Sequence, residues 1–210
     1  MNSLTSMYID GGDFMHPILL VFILGLIFSF ERLYTLRKSK INTKSFVEKV
    51  TRTINEQGID EAKAVCEKTP GSVSSVFHAG LQRYDEGLDS VEKAIMTYGG
   101  IETGFLEKGL IWISLFIALA PMLGFTGTVQ GMIEAFEAIK EANQISPAIV
   151  AGGIAKALIT TLFGLVVAMI LQVFYNFFVA KIDGIISDME ESSVQLIDSL
   201  YSHKQKTENR

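Results

Sequence analysis

The sequence predicts an all-α membrane protein with three transmembrane helices, long cytoplasmic helical extensions, its N-terminus outside and its C-terminus cytoplasmic. Three observations carry that reading. Of the 210 residues 49% are apolar and 20% charged, too hydrophobic for an ordinary soluble domain and too charged to lie wholly in a bilayer. The two kinds are segregated, with runs at 14–36, 109–133 and 148–180 apolar enough to span a core that needs roughly 20 helical residues. Between and after those runs, apolar residues recur at helical spacing.

Residues 1–13 read as a short periplasmic segment, in which Leu4, Met7 and Tyr8, with Phe14 just beyond, suit the membrane face and Gly11-Gly12 separate it from the first span. The first span, 14–36, is mostly apolar only from Pro17 to Phe30 and borrows residues at both ends to reach across. It does not read as a cleaved signal peptide, because Met1 to His16 holds Asp10 and Asp13 but no lysine or arginine. Arg32, Arg37, Lys38, Lys40 and Lys44 follow the run instead, and a basic flank of this kind stays cytoplasmic.

Residues 37–108 form a cytoplasmic helical domain. Asn42 or Thr43 caps a helix presenting Phe46, Val47, Val50 and Ile54 and ending near Gly58. A second runs from Ile59 to Lys68 and stops before Pro70. A third covers Ser72 to Tyr84, with Val73, Val76, Phe77 and Leu81 on one face, and Asp85-Glu86-Gly87 breaks it. A fourth starts near Leu88 and is expected to run through Gly99-Gly100 into the second span. A segment this small is marginal alone, so it should pack against extensions of the second and third spans or against sister subunits.

The second span, 109–133, is followed by a short periplasmic loop, 134–147, where Lys140 is outnumbered by Glu134, Glu137 and Glu141. The third span, 148–180, continues into a cytoplasmic amphipathic helix and tail, 181–210. There Ile182, Ile185, Ile186, Met189, Leu196, Ile197 and Leu200 recur at helical spacing, a pattern interrupted once at Ser193.

Both later spans are costly for a bilayer. Thr126, Thr128 and Gln130 interrupt the second, and Lys156, Thr160 and Thr161 the third, and helices carrying polar groups face protein or an ion path rather than lipid. In the second span Ala120, Gly124, Thr128, Gly131 and Ala135 fall on one face, and Gly127 to Gly131 is a G-x-x-x-G. In the third, Gly153, Ala157, Thr161, Gly164, Ala168 and Gln172 do the same. Small faces serve close helix packing, and hydroxyls at their centre equally suit a water or ion path. Lys156 has three readings. It snorkels outward, pairs with Glu134 in the same or a neighbouring subunit, or faces a pore beside a partner's carboxylate.

The remaining candidates carry less. Pro121 kinks the second span, Glu31-Arg32 form a pair at headgroup level, and the lone Cys66 is a buried apolar residue. His16, His78 and His203 lack metal-ligand spacing, and no phosphate loop or nucleophile motif occurs. The expectation is therefore no enzyme, no metal and no cofactor. The basic cluster after the first span is a topology signal and not a nucleic-acid site.

The stretch A-P-M-L-G-F-T-G-T-V-Q-G-M-I-E-A-F from Ala120 resembles the second-helix signature of the MotA/TolQ/ExbB proton-channel family, closest to its ExbB/TolQ branch. The stretch G-G-I-A-K-A-L-I-T-T-L-F-G-L-V-V-A from Gly152 is similar to the third-helix signature, and Glu31-Arg32-Leu33 to the end of the first helix. The resemblance implies a homopentamer around a dimer of a single-span ExbD/TolR-like protein whose intramembrane aspartate carries the proton. It also implies a TonB/TolA-like protein driven in turn and a bacterial inner membrane. By the same resemblance the pore threonines fall on Thr128 and Thr161. Lys156 departs from the pattern, since many relatives carry glutamate there, and the proline that often precedes the signature glycine is missing.

Taken together, the ion path is expected at Thr128, Thr161, Thr160, Lys156 and Gln172, and helix packing at Gly124, Gly127, Gly131, Gly153 and Gly164. Two other readings stand beside this one: a stator of a gliding or flagellar motor, and a non-conducting membrane scaffold.

Overall fold

The structure, a computed structural model, describes residues 3–39, 41–142 and 147–208. Among them the regular structure is entirely helical. In chain order come α1 (Ser3–Asp10), α2 (Met15–Ser39), α3 (Thr43–Gln57), α4 (Ile59–Lys68), α5 (Ser72–Gln82), a one-turn 3-10 helix (Tyr84–Glu86), α6 (Leu88–Glu107), α7 (Leu110–Ala142) and α8 (Pro147–Glu208). Three helical stretches are long and apolar enough to cross a membrane, and they overlap the three runs of the sequence. The described residues fall into two compact units.

The first unit takes its residues from Met1–Arg32 and Gly109–Phe177. Its core joins Ile18 and Val21 of α2, Phe116 and Ala120 of α7, and Val167, Ala168 and Leu171 of α8. Gly25 makes room for Leu171, whose Cδ1 would lie 2.6 Å from any Cβ added there. Phe28 packs beside Trp112 and Phe116, with ring centroids 6.0 and 5.8 Å apart. The opposite faces expose Leu20, Ile27, Ile111, Met122, Phe125, Leu158 and Met169. That much bare apolar surface suits hydrocarbon and not water. At the end of this part of α2, Arg32 grips Glu31 through Nε and Nη2, both at 2.6 Å.

The second unit takes its residues from Leu33–Lys108 and Phe178–Arg210. Asn42 is the cap of α3, its Oδ1 accepting from the Ser45 amide at 3.3 Å. The predicted face of Phe46, Val47, Val50 and Ile54 is buried, and Phe46 meets Phe77 of α5 with ring centroids 5.5 Å apart. Cys66 is buried on α4, and burial pushes its thiol from 9.0 up to about 12. The insert shares its unit with the last part of α8. Thr43 Oγ1 donates to Asp188 at 3.4 Å, and Ile182, Ile185, Met189, Leu196 and Leu200 are buried.

Three expectations need correction. Helix α6 passes Gly99-Gly100 but stops at Glu107, because the chain turns at Gly109 with φ +94°, a conformation only glycine adopts without strain. The Arg32 side chain lies over that glycine, its Nε 3.1 Å from where a Cβ would be. The predicted loop 134–147 is helical through Ala142, since Glu134 to Ala142 contains no glycine or proline to end a helix. Helix α8 runs on through Ser193, where the apolar spacing is interrupted, as expected of a helix continuing the third span. Ser193 donates its hydroxyl to the Met189 carbonyl at 2.6 Å and Ser192 donates to Asp188 O, so both serines satisfy themselves within the buried face. Helix α5 ends at Gln82, two residues early, and passes into the 3-10 turn.

At the N-terminus, α1 is a separate helix, and Gly12 with φ +69° makes the turn into α2. The side chain of Leu4 lies outside the described residues.

Candidate functional site

Helices α7 and α8 meet along a seam made by residues without side-chain bulk. A Cβ on Gly124 would sit 2.9 Å from the Thr160 carbonyl oxygen, one on Gly131 2.8 Å from the Gly153 carbonyl, and one on Gly164 2.5 Å from the Ala120 carbonyl. On Gly153 it would lie 2.5 Å from the Gly131 carbonyl. At these four positions backbone faces backbone, so the glycines set the interhelical distance. Gly127 differs in receiving a side chain. Its missing Cβ leaves the space taken by Thr160, whose Oγ1 would otherwise be 2.5 Å away.

The seam keeps most of the face expected and departs from it at single positions. On α7 it runs through Ala120, Gly124, Gly127, Gly131 and Ala135, all buried, and Gly127 replaces Thr128. One residue is about 100° of helix rotation, which moves Thr128 to a half-exposed flank where its Oγ1 donates to the Phe125 carbonyl at 2.6 Å. On α8 the buried line is Ala157, Thr160, Gly164, Val167, Ala168 and Leu171. Gln172 is exposed, with its amide donating to Asn176 at 2.9 Å. The equal spacing of 157, 161, 164, 168 and 172 hid this, because 157, 160, 164, 167 and 171 are just as regular and more apolar.

The hydroxyls therefore play different parts. Thr160 is fully buried and donates to the Ala157 carbonyl at 2.9 Å, a packing group held by Gly127. Thr161 lies half-buried at the seam's edge, reaching the Gly124 carbonyl across the seam at 3.4 Å and the Ala157 carbonyl at 3.3 Å. Those long contacts leave its hydroxyl weakly committed. Thr126 is bound to the Met122 carbonyl at 2.8 Å.

Beyond Gly131 the seam ends in a charged network. Lys156 Nζ donates to both Glu134 oxygens, at 2.9 and 2.7 Å, and Gln130 donates to Glu134 Oε1 at 3.1 Å. Of the readings for Lys156, the structure has the intrachain pair. The lysine stem also crosses Gly12, where a Cβ would collide with Lys156 Cε, so the turn between α1 and α2 needs glycine for space as well as for its φ. The sequence marked Gly12 as a break before the first span but not as the place where Lys156 packs, for which there is no local signal. The Gln130 contact was not singled out, though it was readable from its i, i+4 spacing to Glu134.

Between this network and the other ends of the two spans, residues 110–133 and 157–180 contain no Asp, Glu, Lys, Arg or His. Such a helix pair offers hydroxyls and amides to an ion but no group able to carry a proton by itself. Among the described residues no cluster of metal-ligating side chains occurs.

A family model described as the MotA/TolQ/ExbB proton channel family matches residues 68–191 of the 210-residue chain, the segment that contains this seam. The chain belongs to that family. A protein described as a biopolymer transport ExbB homologue in Methanothermobacter thermautotrophicus is 32% identical over 185 residues, which cover 88% of this chain and 66% of that one. The Tol-Pal system protein TolQ of Pseudomonas aeruginosa is 26% identical over 168 residues, 75% of this chain and 73% of its own length. The biopolymer transport protein ExbB of Salmonella typhimurium is 29% identical over 147 residues, 70% of this chain and 56% of its own length. The chain thus matches less than two thirds of the ExbB relatives' length. It is a membrane protein of a transport family, as the three apolar helices and these relatives together indicate.

Proposed function

We propose that this MotA/TolQ/ExbB chain is the ion-channel subunit of an ExbB/TolQ-like motor that uses the proton motive force to energise outer-membrane transport or envelope maintenance. The observation that carries this reading is the pair of tightly packed spans with a weakly committed threonine at their edge and no acid within them. The proton carrier must then come from outside the chain. An ExbD/TolR-like partner with an aspartate in its single span supplies it, at the centre of a homopentamer of this protein, and the work passes to a TonB/TolA-like protein.

In this reading Thr161 and Thr128 present hydroxyls to the path, with Gln172 on the same outward side, while Thr160 stays in the packing. Lys156 is neutralised by Glu134 and sets no barrier to cations, since an unpaired ring of lysines would repel them. The N-terminus is outside the inner membrane and the insert is cytoplasmic, as the basic flank after the first span favours. A potential of 100 mV supplies about 2.3 kcal/mol per charge, so each mechanical step needs several protons.

The test is energised transport in cells carrying Thr161→Ala or Thr128→Ala, with assembly followed by co-purification of the partner. Loss of transport with the complex intact is expected of Thr161→Ala. Full activity in both variants would remove the ion path from this seam and favour a scaffold.

A further inference from the structure

The second unit contains a polar cleft that the ion-path reading does not use. It has a volume of about 390 Å³ and is lined by Tyr34 and Lys38 of α2, Gly71 and Ser72 at the start of α5, Ser75 one turn on, and Glu102 of α6. Helix α5 begins without a side-chain cap. Gly71, with φ +140°, stands where a capping oxygen would be, and its own carbonyl accepts from the Ser75 amide at 3.1 Å. The hydroxyls of Ser74 and Ser75 turn away from the amides, donating to the Thr69 and Gly71 carbonyls. The first-turn amides of Ser72, Val73 and Ser74 are thus left without an oxygen from any side chain.

Ser72 is the second and independent sign. It is only 3% exposed, it lines the cleft, and its hydroxyl has no partner among the described residues. Its oxygen is not among the fully enclosed side-chain atoms and so opens towards the cleft. Lys38 adds a full positive charge at the wall and forms no ion pair among the described residues. The N-terminus of α5, the Ser72 hydroxyl and the Lys38 ammonium group all border this cleft as donors, and the chemistry that suits them is a tetrahedral oxyanion. Glu102 opposes it. One carboxylate in the wall disfavours a dianion and tolerates a singly charged diester.

We propose that this cleft binds a phosphate group, held by the α5 amides, Ser72 and Lys38, with Glu102 limiting the charge it accepts. The cleft volume leaves room for an ester substituent, so the phosphate comes either from a phospholipid headgroup or from solution. This inference stands apart from the ion-path proposal, because none of its residues lies on the seam.

Hydrogen exchange of the peptide containing Ser72 to Ser74 in the full-length protein tests it. One arm titrates inorganic phosphate into protein in a phosphate-free detergent. The other compares nanodiscs of phosphatidylcholine alone with nanodiscs containing phosphatidylglycerol. Slowed exchange in the first arm identifies free phosphate, and slowed exchange only with phosphatidylglycerol identifies the headgroup. In whichever arm responds, Lys38→Ala and Ser72→Ala each weaken the response about tenfold, the loss of one charge-assisted contact. Glu102→Gln strengthens it. Melting temperature controls for folding, and the exposed Lys38 provides the variant least able to disturb it. No protection in either arm, protection unchanged in the Lys38→Ala variant, or weakening by Glu102→Gln would each overturn the proposal.

Discussion

Lys156 is the one charged residue of the third span, 148–180, and its surroundings give that charge a physical sense. The ammonium group meets both oxygens of Glu134, and its stem fills the space over Gly12. Substituting Lys156→Glu would therefore place two carboxylates together and leave the Gly12 turn uncovered. We expect it to destabilise the protein by about 1 kcal/mol, the scale of a partly exposed pair, and Glu134→Gln in the same chain to restore much of the loss. Melting curves of the two single variants and the double variant in micelles check this, and additive losses would refute the coupling. Cys66 makes a second prediction at this scale. Its thiol is raised to about 12 because burial disfavours the thiolate. The stability this contributes is complete below the ordinary thiol value of 9.0 and declines as pH rises from there towards 12. A thiol reagent at pH 8 should modify Cys66 only as fast as the second unit opens.

For the helices, the distinction that matters is between glycines that face backbone and glycines that face nothing. Gly164→Ala drives a methyl into the Ala120 carbonyl, which cannot move without the helix, and should cost about 1–3 kcal/mol or more. Gly184, on the same helix, has nothing within 4 Å, so Gly184→Ala should stabilise by about 0.5–1 kcal/mol through backbone entropy alone. Opposite signs on one helix, read by chemical or thermal unfolding, are the expected result. Gly127→Ala is a milder case, because the obstacle is the Thr160 side chain. Adding Thr160→Gly should recover part of the seam's packing, whereas no side-chain change on α7 should rescue Gly164→Ala. The same reasoning locates the legible part of the site. Small residues at three- and four-residue spacing announced a close helix pair. Two interleaved registers satisfied that spacing on each helix, so the sequence left the rotation open, and Thr128 and Gln172 were drawn onto a face that Gly127 and Leu171 occupy.

For the whole molecule, the apolar outer faces and the acid-free spans lead to one expectation. Reconstituted alone in liposomes, the chain should pass no protons under an imposed potential, and flux should appear only with a partner that has an acid in its span. A pH-sensitive dye inside the liposomes reads the difference, and flux from the chain alone would contradict the proposed division of labour. The all-helical class, the three spans and the helical insert were all legible in the sequence, because apolar length and helical periodicity are local properties. The stop at Gly109 was not. A lone glycine inside a helical pattern is tolerated as often as it breaks one, and here the turn takes a left-handed backbone with the Arg32 side chain packed over it.

By itself the sequence determined what each helix is made of: which runs are apolar enough to span, which residues are too small to separate two backbones, and that no acid lies within the second and third spans. Those are properties of composition and spacing, and no fold can alter them. The tertiary structure alone decided how the helices are turned and what meets at their ends. It chose Gly127 over Thr128 for the seam, sent Gln172 outward, and joined Lys156 to Glu134 and Gly12. The reason is that rotation about a helix axis is set by the best fit of two surfaces, and a sequence describes only one surface at a time.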